Sequence, residues 1–333
     1  MATVRKLFIT NFLICLVVTS IVFGYIFFRQ SPNFLQRPLS AARFFQAERD
    51  PAGRDSPAVK VSEQPKMPVD LVFKSNGSYD KFCTFLKVPE YGNKAVLCTL
   101  DPTKDGNAPI LQRDHAWETH LINPTMAALK RFREQPGKPR LSLFDAGCNH
   151  GVFTITAAVL GFEVLAIDTI KNHLEVVAAS LKKNHLTSMV TLVNRALSNE
   201  HRKVLIPVHH TEMADWYDPK THGSQPPDRL VDAVTMDDLI PLVRTKRVFL
   251  KMDIERSEGR ALRGASKFFA EIEVVCVLME WEWVKQIDED RRFILEFLTD
   301  RGYQAYRQPT DTSHLPADNS MSWPHDVYWL KTA

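Results

Sequence analysis

From residue 141 onward, short apolar runs alternate with amphipathic stretches, and this alternation restricts the chain to a narrow class of folds. The runs at 141–146, 162–168, 190–193, 247–254 and 274–281 are rich in Val, Ile, Leu and Phe and read as buried strands. Segments 151–160, 171–184, 258–270 and 289–301 read as the intervening helices; on 171–184, Leu174, Val177, Ala178 and Leu181 share one face. Strands joined by helices of this length pair in parallel, so the expected class is α/β, a doubly wound Rossmann-like sheet. Segment 204–208 is expected beside the third strand, 303–307 and 326–330 as a closing edge hairpin.

The residues able to do chemistry fall at the strand ends. Asp145-Ala146-Gly147-Cys148-Asn149-His150-Gly151 joins the first strand of this series to its helix. In doubly wound folds ligands bind in the crevice at the carboxyl ends of the strands. Gly147 lets the backbone approach a ligand closely, and Gly151 lets helix pack on strand. The spacing is D-x-G-x-x-x-G, with Asn149 where a pyrophosphate-cradling loop has its second glycine, which argues against NAD or FAD. Asp168 ends the second strand about 20 residues past the glycine loop, the place for an acid that accepts from both hydroxyls of a ribose. S-adenosylmethionine has the ribose and lacks the pyrophosphate, so loop and acid together suit it. The candidate cofactor residues are Asp145, Gly147, Asn149, Gly151 and Asp168; the alternative is a glycine turn and a strand-end acid of any α/β fold.

Over roughly residues 141–280 the chain resembles the FkbM-type methyltransferases. The resemblance rests on DAGCNHG at 145–151, AID ending at Asp168, VTMDDL at 234–239, KMDIERSE at 251–258 followed by Ala261-Leu262 and Gly264-Ala265, and LME ending at Glu280. It implies a class I methyltransferase fold, S-adenosylmethionine as donor and O-methylation of a hydroxyl, often on a sugar or a polyketide-like product. Two residues depart from the family pattern: Arg256 replaces a usual glycine, and His150 replaces an apolar or aromatic residue.

Methyl transfer from a sulfonium is an in-line displacement, and a sugar hydroxyl must lose its proton as it attacks. Lys251, Asp253 and Glu255 alternate at the end of the fourth strand and are expected to share a face, so Asp253 or Glu255 is the candidate base and Lys251 tunes it or holds the acceptor. A buried ion-pair network that locks the strand is the alternative. His150 is read as a helix-capping loop residue or, failing that, a base. Asp237 and Asp238 are either ligand contacts or a helix N-terminal charge pair, and Glu280 either meets the acceptor or joins Lys251. Trp281, Trp283 and Trp323 are read as core or rim packing before sugar stacking. Asp253, Glu255 and Glu280 are hard oxygen donors, but no metal set is expected.

Residues 7–28 carry no charge, long enough to span a bilayer and too long for the core of a cleaved signal peptide. Arg5, Lys6 and Arg29 flank them. The expected organisation is a cytoplasmic tail (1–6), a transmembrane signal-anchor (7–28), a proline-rich stalk (29–68) and a lumenal methyltransferase domain (69–333, core 141–333). Flanking charge orients the span weakly; Asn76-Gly77-Ser78, an N-glycosylation acceptor used only in the lumen, tips it to a type II protein of the Golgi or another secretory membrane. The expected acceptor is a glycan hydroxyl; the alternatives are a small molecule or lipid, or a non-catalytic protein that keeps the fold. A net charge of +3, from 42 basic and 39 acidic residues, leaves no footprint for nucleic acid. The five cysteines show no zinc spacing; Cys83 and Cys98 are the pair able to bridge in an oxidising compartment.

Overall fold

The computed structural model describes residues 71–77, 79–206 and 215–332. The span expected over 7–28 and the stalk over 29–68 lie outside the described residues. Among the described residues no helix is long and apolar enough to cross a membrane.

Strands β1 (Phe82–Val88) and β2 (Gly92–Thr99) form an antiparallel hairpin, followed by helices α1 (Ala108–Asp114) and α2 (Thr119–Arg133). The core then runs β3 (Leu141–Ala146), α3 (Val152–Val159), β4 (Glu163–Asp168), α4 (Lys171–Lys183) and β5 (Val190–Asn194). Short strands β6 (Ala196–Leu197), β7 (Lys203–Leu205), β8 (Asp215–Trp216) and β9 (Leu230–Val234) come next. The chain returns to the core through β10 (Arg247–Met252), α5 (Glu258–Arg263), α6 (Ser266–Glu271), β11 (Glu273–Glu280), α7 (Asp288–Thr299), β12 (Tyr303–Tyr306) and β13 (Asp326–Lys331).

Seven strands form the main sheet in the order β12-β13-β11-β10-β3-β4-β5, with β13 antiparallel to both of its neighbours. The order reverses between β3 and β10, so the carboxyl ends of these two strands open a crevice. Strand alternation sends Leu143, Val164 and Phe249 to one face, under α2, α3 and α4 and the β1–β2 hairpin. Phe144, Leu165, Leu250 and Met252 go to the other, under α5, α6 and α7. Apolar cores on both faces account for the near-absence of exposed positions on β3 and β10, as expected for a doubly wound sheet.

Three sequence expectations need correction. Segment 204–208 does not join β5; β7 pairs with β8 and β9 in a separate small sheet, and the edge of β5 is instead met by Val72 and Phe73. The helix expected over 258–270 is broken at Gly264-Ala265, because a side chain at Gly264 would overlap the Ser198 carbonyl oxygen and the Gly264 carbonyl accepts from Asp237 N at 3.1 Å. The strand expected over 247–254 stops at Met252. The closing hairpin forms as expected, with β12 on the edge and β13 inserted beside β11. Cys83 and Cys98, directly opposed on β1 and β2, are joined as a disulfide.

Candidate active site

The loop leaving β3 is shaped by its glycines. Gly147 and Gly151 have φ of 79° and 80°, a region L side chains rarely adopt. A β-carbon on Gly147 would overlap the Asp253 carbonyl oxygen, and one on Gly151 would stand 2.7 Å from Val177 Cγ2 of α4. The close approach of backbone across the β3/β10 crevice therefore requires glycine at 147. Gly147 N and Cys148 N donate to Ile167 O at 2.9 and 3.2 Å, which lays the loop over the end of β4.

Asp168 closes this turn. Its Oδ2 accepts from Asn149 N and its Oδ1 from Ile170 N, both at 2.8 Å, and His173 Nδ1 lies 3.4 Å away. Burial alone would raise the Asp168 pKa, but His173 and the two backbone donors outweigh it and hold the carboxyl below its ordinary value. A carboxylate has about four acceptor sites, and the backbone occupies two.

A cleft of about 1030 Å³, counted out to its open mouth, runs from this loop toward β6 and β7. Gly147, Asn149, Asp168, Ile170, Leu197 and Asp253 are among its walls. A smaller chamber of about 360 Å³ adjoins it, lined among others by Trp117, Glu118, His150, Phe153 and Lys251. Gly147, Asn149 and Asp253 line both, so Asp253 stands at their junction.

Lys251 organises the floor. It is 5% exposed, donates to Gly147 O at 2.7 Å, and lies 3.5 Å from Asp145 Oδ1 and 3.4 Å from Asp253 Oδ2. Burial works against its charge, yet Asp253, Asp145 and Glu118 together hold the ammonium well above its ordinary pKa. Lys251 is thus a fixed cation and no proton acceptor at neutral pH. Asp145, 0% exposed, lies beneath the loop, takes a 2.6 Å hydrogen bond from Thr154 Oγ1 and lines neither cavity. Its place is to anchor Lys251 and the loop. Gly151 likewise packs against α4 and lines neither space.

The expected alternation of Lys251, Asp253 and Glu255 ends after Asp253. Glu255 and Arg256 have φ of 51° and 70°, so the chain turns there and Glu255 reaches the cofactor cleft from a left-handed turn. Burial of its inner side and the charge of Asp253 push the Glu255 carboxyl up to about 7. Arg256 fills the glycine-like position with its guanidinium 4.6 Å over the Trp283 ring. Glu258, 1% exposed, accepts from Ile254 N at 2.9 Å and is pushed up to about 8 by burial. Glu280 meets His325 at 3.6 Å, with no ion pair to Lys251; burial and then Asp253 push it up to about 9.

The FkbM methyltransferase domain matches residues 101–305, well over half the chain. The chain belongs to the FkbM methyltransferase family. No curated protein matches the sequence. Among solved structures, the magnesium protoporphyrin IX methyltransferase of Synechocystis PCC 6803 with bound SAM is similar at 14% identity, over 68% of this chain and 86% of that one, with a TM-score of 0.36. A SAM-dependent O-methyltransferase of Thermotoga maritima matches at 10% identity over 63% and 65%, TM-score 0.31. The bifunctional kinase-methyltransferase WbdD matches at 14% over 67% and 42%, TM-score 0.36. As in its family, S-adenosylmethionine is the cofactor, and the cleft fits it. Asp168 faces the cleft with acceptor capacity left beyond its two backbone donors and His173, enough for a ribose hydroxyl, and the close approach of backbone at Gly147 leaves no room for a side chain there.

Other sequence expectations resolve into structure. Asp237 Oδ1 accepts from Phe268 N at the start of α6, and Asp238 Oδ2 from Thr235 and His201, so this pair shapes a turn and lines neither cavity. His150 is no cap, since Gly151 holds the N-cap position of α3; burial and His173 push the imidazole down to about 4. Trp281 and Trp323 pack together at 5.0 Å in the core. Among the described residues no cluster suits a metal ion. Glu118 escaped the sequence reading: it lies some 130 residues from Asp253 in sequence, and its φ of 43° at the start of α2 is a signal only coordinates carry.

Proposed function

We propose that this chain is an O-methyltransferase that transfers a methyl group from S-adenosylmethionine to a hydroxyl of a glycan in the secretory lumen. The observation that carries the reading is Asp253, standing at the junction of the cofactor cleft and the adjoining chamber. Held by Asp168 and the Gly147 loop, the cofactor would supply an electrophilic methyl carbon for the acceptor oxygen. Asp253 takes the hydroxyl proton, and Lys251 at 3.4 Å fixes the carboxylate's orientation. Glu255, ionising near 7, adds a negative charge at the wall of the cofactor cleft. Activity is therefore expected to rise with pH through about 7, and Glu255→Gln to flatten that limb; a pH profile of kcat/KM checks both.

The uncharged run over 7–28, the glycosylation sequence at Asn76 and the Cys83–Cys98 disulfide support a lumenal catalytic domain, since disulfides persist in oxidising compartments. Calorimetric titration with S-adenosylhomocysteine, wild type against Asp168→Ala, is the direct test. Micromolar binding lost in the variant, followed by label transfer to glycans and not to lipid or small-molecule acceptors, is the expected result. A folded protein that binds no S-adenosylhomocysteine is a non-catalytic member of the family.

A further inference from the structure

The smaller chamber has a chemistry of its own. Its walls include two aromatic rings, Trp117 and Phe153, and two carboxylates, Glu118 and Asp253. Its one cation, Lys251, is committed to Gly147 O, Asp145 and Asp253. His150, 2% exposed, also lines it, and His150 Nε2 has no hydrogen-bond partner. With Nδ1 donating to Asn149 Oδ1 at 2.7 Å, Nε2 is left as a bare acceptor. The neighbouring Asp105 Oδ1, 3.5 Å away, is itself an acceptor that already takes Asn107 N and Ala108 N. The chamber thus offers acceptors in excess of donors.

A neutral polyol brings one donor and two acceptor lone pairs per hydroxyl to such a wall, so its surplus acceptors would face carboxylates. An ammonium group brings three N–H donors, no acceptor and a positive charge that aromatic faces also attract. We propose that the chamber binds an ammonium group carried by the methyl acceptor, so that the substrate class is an amino-bearing hydroxyl compound such as a sugar with a free amine. This deepens the reading of the preceding subsection and rests on it. Glu118 and Asp253 are the charge partners, Trp117 supplies a ring face, and His150 Nε2 accepts one N–H.

The test titrates the full-length protein, in detergent micelles and saturated with S-adenosylhomocysteine, with glucosamine in its protonated form, glucose and N-acetylglucosamine. Glucosamine is expected to bind at least about tenfold more tightly than either neutral sugar, a difference of about 1.4 kcal/mol. Glu118→Gln, close to isosteric, is expected to remove that preference while leaving S-adenosylhomocysteine binding in place as the control for folding. Equal binding of the three sugars, no glucosamine binding, or an unchanged preference in Glu118→Gln overturns the proposal. Repeating the glucosamine titration without S-adenosylhomocysteine separates the two readings. If wild type binds glucosamine selectively but never binds S-adenosylhomocysteine, the methyltransferase reading fails and the chamber stands.

Discussion

Glu255 and Arg256 are two consecutive left-handed residues, and Arg256 holds this conformation where the sequence pattern expects glycine. A left-handed non-glycine residue costs about 1 kcal/mol, and a guanidinium stacked on a partly exposed indole returns roughly 0.5–1 kcal/mol. Arg256→Gly removes both, so its stability is expected to stay within about 1 kcal/mol of wild type in urea denaturation. That near-cancellation explains how the loop keeps its course without the family's glycine. Gly147 has no such latitude. Its missing β-carbon faces main-chain atoms of Asp253, which cannot swing aside. Gly147→Ala is expected to cost about 3 kcal/mol and abolish S-adenosylhomocysteine binding, as read by thermal melting and calorimetry.

At the scale of elements, the β1–β2 hairpin is tied in two ways. The disulfide joins its strands, and Cys98 N donates to Ser180 Oγ at 2.8 Å while Asn184 Oδ1 accepts from Val96 N, which seat the hairpin on α4. The cysteines are 15 residues apart, and closing a loop of that length is worth about 3 kcal/mol in the chain-entropy treatment. Replacing both with alanine is expected to lower stability by up to that amount; reductant is expected to do the same to wild type and nothing to the double variant. Chemical denaturation with and without reductant checks this. The hairpin also matters for function, because α1 and α2, which follow it, deliver Leu111, Trp117 and Glu118 to the chamber wall.

For the whole molecule, the carboxyls gathered behind the site set a pH dependence of stability. Glu258 is held at about 8 when folded, far above its ordinary 4.5, so between those values the folded state keeps a proton that the unfolded state has lost. Its contribution to stability is full below about 4.5 and falls as pH rises toward about 8. Glu280, held up to about 9, acts in the same direction. Glu258→Gln is expected to reduce this downward slope in denaturation midpoints measured across that range.

Strand and helix positions of the core, the glycine loop and Asp168 were legible in the sequence because each follows from local rules: apolar period, chain reversal at glycine, and an acid at a strand end. The Lys251–Asp253 pairing was legible as well, since both lie within a few residues of one strand end. Glu255 was assigned the wrong reach because period-two alternation holds only while the backbone stays extended, and it turns at that residue. The helix break at Gly264 depends on Ser198 and Asp237, tens of residues away, and the glycine itself is its local signal. Asp145 kept its place in the motif, but tertiary packing decided that it holds Lys251 beneath the loop while Asp168 faces the cleft. The sequence by itself thus determined the fold class, the family and the cofactor, all properties of short-range pattern. Only the tertiary structure decided which carboxylates share a cavity, because burial and charge are set by neighbours that the chain brings together from Glu118 to Glu280.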